Sequence, residues 1–178
     1  MSMGETYLKV VIERFTSVKA DGDQTIAQLN NEQLHWALNE DSNSIAVIVK
    51  HVSGNMISRW TNFLTTDGEK ATRNRDDEFN DSIDWKEAIL AMWEKGWKVF
   101  LDALQGLTEQ DLLRIVTIRG QPHTVIDAIE RQMAHYASHI GQIVYVGKQI
   151  KGDEWRTLSI PRGQSGAFTD AMLKAHQK

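Results

Sequence analysis

A chain of 178 residues, 41% hydrophobic and 25% charged, carries enough apolar material for one well-buried core and has none of the compositional bias of a disordered segment. Its formal net charge of −4, with no block of consecutive lysines and arginines, excludes the electrostatic footprint of a nucleic-acid partner or of an anionic membrane surface. The absence of cysteine excludes disulfides, thiolate metal sites and a protein thiol nucleophile, so any thiol in the chemistry must arrive with a substrate.

The expected organisation is a single domain over residues 1–178, with an irregular tail from about residue 152. Met1 to Val10 holds no signal-peptide core and no apolar run approaches transmembrane length, so no membrane association is expected and the cytoplasm is the default compartment.

From Tyr7 to Leu29, Leu8, Val11, Ile12, Phe15, Val18, Ile26 and Leu29 recur at helical spacing between charged residues, which predicts a first amphipathic helix. Gly22 interrupts that helix without ending it, at a cost of about 1 kcal/mol relative to alanine. Asn30 to Asn43 is a polar connection expected to pack Leu34, Trp36 and Leu38 back onto the core. The capping residues Asp41 to Ser44 then introduce a second helix, Ile45 to Leu64. His51, Asn55 and Asn62 fall within about 40° of one another on the flank of its apolar stripe.

Thr65 to Ile83 is rich in charge and turn formers and reads as a solvated loop. Asp84 and Glu87 have capping-box spacing for a third helix reaching about Gln105. Thr108 and Asp111 suggest one short helical turn, and Arg114 to Ile118 alternates as a strand does before the turn signal Arg119-Gly120-Gln121-Pro122. Thr124 and Asp127 start the fourth long helix, whose core stripe is expected to be Ile126, Ile129, Met133, Ala137, Ile140 and Val144. After Gly152 the chain turns irregular, with a short terminal helix over Ala167 to Ala175. The fold class is therefore all-α: an antiparallel four-helix bundle with a short strand or hairpin before the fourth helix.

The fourth helix carries His135 and His139 four residues apart, so both imidazoles lie on one face, one turn from each other, and can converge on one metal ion. Two ligands do not make a site. His51 is the third candidate because it sits on another helix at the edge of a buried stripe, with Asn55 a turn away. Asn55 and Gln132 are the candidate outer groups that would orient the ligand imidazoles. His35, His123 and His176 read as ordinary histidines of a loop, a turn and the tail. Two better-known patterns fail: only Glu32 to His35 has the Glu-x-x-His spacing that a di-iron bundle needs twice, and Tyr136 stands where a His-Glu-x-x-His protease has its general base.

One histidine in Ile48-Val49-Lys50-His51-Val52 and a His-x-x-x-His pair at His135 and His139 resemble the DinB/YfiT-like superfamily of metal-binding four-helix proteins, over about Tyr7 to Ile150. The resemblance implies that His51, His135 and His139 bind a divalent ion such as Zn or Ni, with water completing its shell. It also implies a homodimer and a small-molecule thiol, bacillithiol-like, with an electrophile as the partners of an S-transferase. In that reading the ion lowers the pKa of the thiol, which then attacks the electrophile. A metal-dependent hydrolase of a small substrate and a non-catalytic metal-binding stress protein are the alternatives.

Overall fold

The computed structural model describes residues 1–176 and confirms the four long helices. These are α1 (Met3–Ala27), α3 (Ile45–Trp60), α4 (Lys86–Gln105) and α5 (Val125–Lys151), joined by the short α2 (Asn31–Leu34) and followed by α6 (Ser165–His176). The expected hairpin precedes α5: β1 (Ile115–Ile118) pairs antiparallel with β2 (Gln121–Thr124), Ile118 opposite Gln121. Its two-residue turn uses Arg119 at φ 55° and Gly120 at φ 72°. Positive φ at both central positions matches the right-handed twist of the flanking strands.

Helix starts follow their caps. Ser2 accepts from the Glu5 amide at 3.1 Å while Glu5 accepts from the Ser2 amide at 2.8 Å, so this reciprocal box opens α1 at Met3, four residues ahead of the expected start at Tyr7. Ser44 caps α3 through the Val47 amide, and Thr124 caps α5 through the Asp127 amide, both at 3.2 Å. The expected box at Asp84 and Glu87 does not form. Trp85 is the N-cap of α4 without a side-chain bond, and the Asp84 carbonyl accepts instead from Asn31 Nδ2 at 3.0 Å.

The core is aromatic. Phe100 stacks edge-on to Phe15 at 4.5 Å and lies 4.7 Å from Trp60 and 5.2 Å from Tyr136, all buried. Close helix approach depends on small residues: a Cβ on Gly96 of α4 would sit 2.8 Å from Ser53 Cα of α3. Gly22 has a similar reason to be in mid-helix, because a Cβ there would lie 2.6 Å from the Trp93 ring. Asn55 of α3 meets Tyr136 of α5, while His51 meets His139 further along α5. Ascending α3 thus descends α5, and the two helices run antiparallel.

Several expectations need correction. α3 stops at Trp60, because Thr61 turns to extended backbone and Asn62 adopts φ 50°, which removes Asn62 from the helix flank. Of Leu34, Trp36 and Leu38, only Leu34 is buried. The inner face of α5 is Val125, Ala128, Ile129, Gln132, Tyr136, Ile140 and Ile143. Ala137 is exposed and Met133 only half-buried. The stripe is thus rotated toward the histidine flank, because the Tyr136 hydroxyl finds buried partners that let the whole side chain go inside. No described helix is long and apolar enough to cross a membrane.

Candidate metal centre

The three histidines come together where α3 faces α5. His51 Nε2 lies 3.4 Å from His135 Nε2, which lies 3.1 Å from His139 Nε2, and one ligand atom from each can be chosen so that all three fall within 4.8 Å of one another. Nitrogens bound tetrahedrally about 2.1 Å from one ion are about 3.4 Å apart, and a facial octahedral set is somewhat closer. The spacing is that of a ligand set. Three histidines this close can bind a metal ion.

The protons support the same reading. Each Nδ1 faces an oxygen acceptor: His51 the Glu78 carboxylate at 3.0 Å, His135 the Gln132 side-chain oxygen at 3.3 Å, and His139 the Gln142 oxygen at 2.9 Å. An oxygen at Nδ1 fixes the proton there and leaves the Nε2 lone pair free. In that tautomer three lone pairs point at one another with no hydrogen between them, an arrangement that a cation relieves.

Burial and charge keep the His135 and His139 rings neutral. Burial is the main reason that the His135 pKa falls to about 4, with the neighbouring His139, His51, Arg59 and Arg73 charges adding to it. Burial likewise lowers His139, partly opposed by its bond to Gln142 and reinforced by His51. Both are in the ligating form at neutral pH.

Gln132 stands where the sequence places it. Asn55 does not touch a ligand: its Oδ1 accepts from the Tyr136 hydroxyl at 3.0 Å, and that hydroxyl accepts from Trp60 Nε1 at 3.1 Å. Asn55 therefore supports the core beside the site. The outer partner of His51 is Glu78, from the segment expected to be a solvated loop. A 3-10 turn, Asp77–Phe79, delivers it, and Lys50 ties the turn to α3 through its ion pair with Asp77 at 2.8 Å.

Glu78 is buried and held by a forked contact from Arg73, Nε to Oε1 at 2.7 Å and Nη2 to Oε2 at 2.8 Å. Burial alone would raise its pKa, but the bonds from Arg73 and His51 outweigh that effect and bring it below the ordinary value. It remains a carboxylate. Gly54 makes room, since a Cβ there would overlap the Glu78 carboxyl group. Phe79, itself half exposed, stacks on His51 with ring centroids 4.9 Å apart. A neighbouring cleft of about 550 Å³ is lined by Gly54, Ser58, Lys70, Arg73 and Glu78 but by none of the histidines.

The remaining histidines stand apart. His35 bonds Asp81 at 2.8 Å, His123 lies on β2 and not in a turn and pairs with Asp127 of α5, and His176 is exposed on α6. Gln142 was legible, since it follows His139 by three residues as Gln132 precedes His135 by three. Glu78 carried no local signal.

A family model described as a protein of unknown function, DUF1572, matches residues 2–164. No curated protein matches the chain.

Proposed function

We propose that this chain, which belongs to the DUF1572 family, is a divalent-metal-dependent enzyme whose ion, Zn or Ni, is held by His51, His135 and His139, and which transfers a low-molecular-weight thiol to an electrophile. The observation that carries the metal is the convergence of three Nε2 atoms whose Nδ1 partners are all oxygens. A divalent ion bound there supplies a Lewis acid that lowers the pKa of a thiol or water in its open positions.

The chain's own residues hold and orient. Gln132, Gln142 and Glu78 keep the three Nδ1 protons in place, and Arg73 keeps Glu78 from turning away. Phe79 covers one face of His51 and presents an exposed aromatic surface to an incoming molecule. Glu78, the carboxylate that touches the cluster, is engaged by Arg73 and His51 and held below its ordinary pKa, which suits it poorly to act as general base, and no cysteine exists to act as nucleophile. These two features favour an activated cosubstrate thiol, as does the resemblance to DinB/YfiT-like proteins carried by His51, His135 and His139.

Metal analysis of untagged protein, with His51→Ala and His139→Ala beside it, tests the site. About one ion per wild-type chain and loss of that ion in both variants is the expected result; full metal content in both variants sinks the ligand assignment. Turnover of an electrophile panel with and without added thiol then separates transfer from hydrolysis. Activity independent of thiol transfers the proposal to the metal-dependent hydrolase.

A further inference from the structure

Arg59 is a second unexplained group on the same face of the α3–α5 seam. It is only 3% exposed, yet its Nε and Nη1 have no hydrogen-bond partner among the described residues. The surrounding acids are engaged elsewhere. Glu78 is taken by Arg73 and His51, and Glu69 lies 3.2 Å from Arg119 and 3.5 Å from Arg73. Arg73 differs: its Nε and Nη2 are taken by Glu78, and its Nη1 makes only the 3.5 Å ion pair with Glu69 and no hydrogen bond among the described residues. A buried guanidinium without an anion is a costly arrangement that folded proteins avoid.

Its position explains what the anion would be for. Arg59 lies eight residues beyond His51 on α3, level with the part of antiparallel α5 that carries Arg131 and Gln132. Its stem is packed under the hairpin side of the molecule, where a Cβ on Gly68 would stand 3.2 Å from Arg59 Cδ and 3.4 Å from Ile118 Cγ1. Arg73, Arg131, Glu69 and Tyr136 are its charged and polar neighbours, and burial is the main influence lowering its pKa. The charges of Arg59 and Arg73 are both felt at His135. Arg59, Arg73, Arg131, Lys70 and Arg119 against Asp67, Glu69 and Glu78 leave this region two positive charges in excess, on a chain that is negative overall.

We propose that Arg59, with Arg73 beside it, binds the oxyanion of a small molecule, a carboxylate or phosphoryl group, whose other end reaches the three-histidine centre. The fork of the guanidinium suits either group: Nη2 pairs with Nε on one edge and with Nη1 on the other, and Nε and Nη1 are both buried without a hydrogen-bond partner among the described residues. This places a requirement on the substrate or cosubstrate: it is an anion with its charged group set apart from its reacting atom. The link to the histidine centre rests on the metal reading above, but the anion site does not need the ion to be present.

The test uses the full chain stripped of metal, titrated with inorganic phosphate and separately with acetate, by calorimetry and thermal melting. Wild type is expected to bind one of these saturably at one per chain and to melt higher as it does so. Preference for acetate assigns a carboxylate and preference for phosphate a phosphoryl group. Arg59→Met is expected to weaken binding at least tenfold, to melt no lower than wild type in the absence of anion, and to keep its metal content. In wild type itself, the Arg59 Nε–H resonance, identified by its loss in Arg59→Lys, is expected to move saturably along the titration. A resonance that stays fixed, absence of saturable binding by wild type, or equal binding by Arg59→Met overturns the proposal. His139→Ala, which tests the metal reading, is expected to keep anion binding, so either reading can fail without the other.

Discussion

The two sides of α3 are built on opposite principles. Toward α4 the helix is dry: Gly96 lets the backbones close against Ser53, and Trp97, Phe100 and Trp60 fill the space beyond it. Toward α5 it is polar, with His51, Asn55 and Arg59 facing His135, Gln132 and Tyr136. The first side gains from excluding water and from dispersion, so its cost of disruption scales with volume removed. The second gains little from burial itself and is secured by donor–acceptor pairing, so its cost scales with partners left alone. One helix therefore separates stability from chemistry.

The largest expected effect lies on the dry side. Phe100→Ala removes the ring that touches Phe15, Trp60 and Tyr136 and should cost about 3–5 kcal/mol in urea unfolding of metal-free protein. Metal bound per folded chain should not change. Loss of the ion in a variant that still folds would break the separation between the two sides.

Next comes Tyr136→Phe, at the border. It strips Trp60 Nε1 of its acceptor and Asn55 Oδ1 of its donor in a buried setting, with an expected cost of about 2–3 kcal/mol by the same unfolding measurement. Metal affinity should hold, because no ligand imidazole bonds to either group. A fall in metal affinity larger than the fall in stability would return Asn55 to the role of a ligand-orienting group.

Glu78→Gln acts on the polar side alone. It keeps an oxygen near His51 Nδ1 but removes the charge and half of the fork with Arg73, and metal affinity should fall roughly 10–100-fold, as for other outer partners of metal-bound histidines. Competition against a chromophoric chelator measures it. Gly54→Ala should move in the same direction, since its Cβ displaces the same carboxyl group.

What was legible in the sequence follows from the same division. The dry side repeats with helical period, so α1, α3, α4 and α5 and most of their apolar positions could be read from spacing. The hairpin was legible through Arg119-Gly120. On the polar side, His135 and His139 are neighbours by helical geometry and His51 could be placed on a helix flank. Glu78 could not, because a residue delivered by a loop 27 positions from its partner has no period to betray it. Arg59 is hidden for a related reason. A charged residue near a helix end is usually solvated, and only the covering of the 61–85 segment and the hairpin makes this one buried. The rotation of the α5 stripe has no signature in apolar spacing, because Tyr136 enters the core through the buried partners of its hydroxyl, Asn55 and Trp60.

The smallest effect is expected where the covering segment is pinned to the hairpin. Asp67 accepts the Glu69 amide at 2.7 Å, the Gly120 amide at 2.8 Å and the Arg119 amide at 2.9 Å. It thereby holds both left-handed residues of the hairpin turn and anchors the segment that carries Arg73 and Glu78. These amide bonds, Gly120 first, then Glu69 and Arg119, bring the Asp67 carboxyl well below the ordinary range. A carboxyl whose pKa is lower in the folded than in the unfolded state contributes stability above its unfolded pKa, near 3.9, and loses it as pH falls toward the folded value. Asp67→Asn should therefore be less stable than wild type at pH 7, with the difference shrinking progressively below about pH 4. Thermal melts of metal-free protein across that range measure it. A difference independent of pH would mean that the turn is held by side-chain shape and not by the charge. Because the anchor is remote from the aromatic core, amide exchange in Asp67→Asn should quicken over the 61–85 segment while that of α4 stays unchanged.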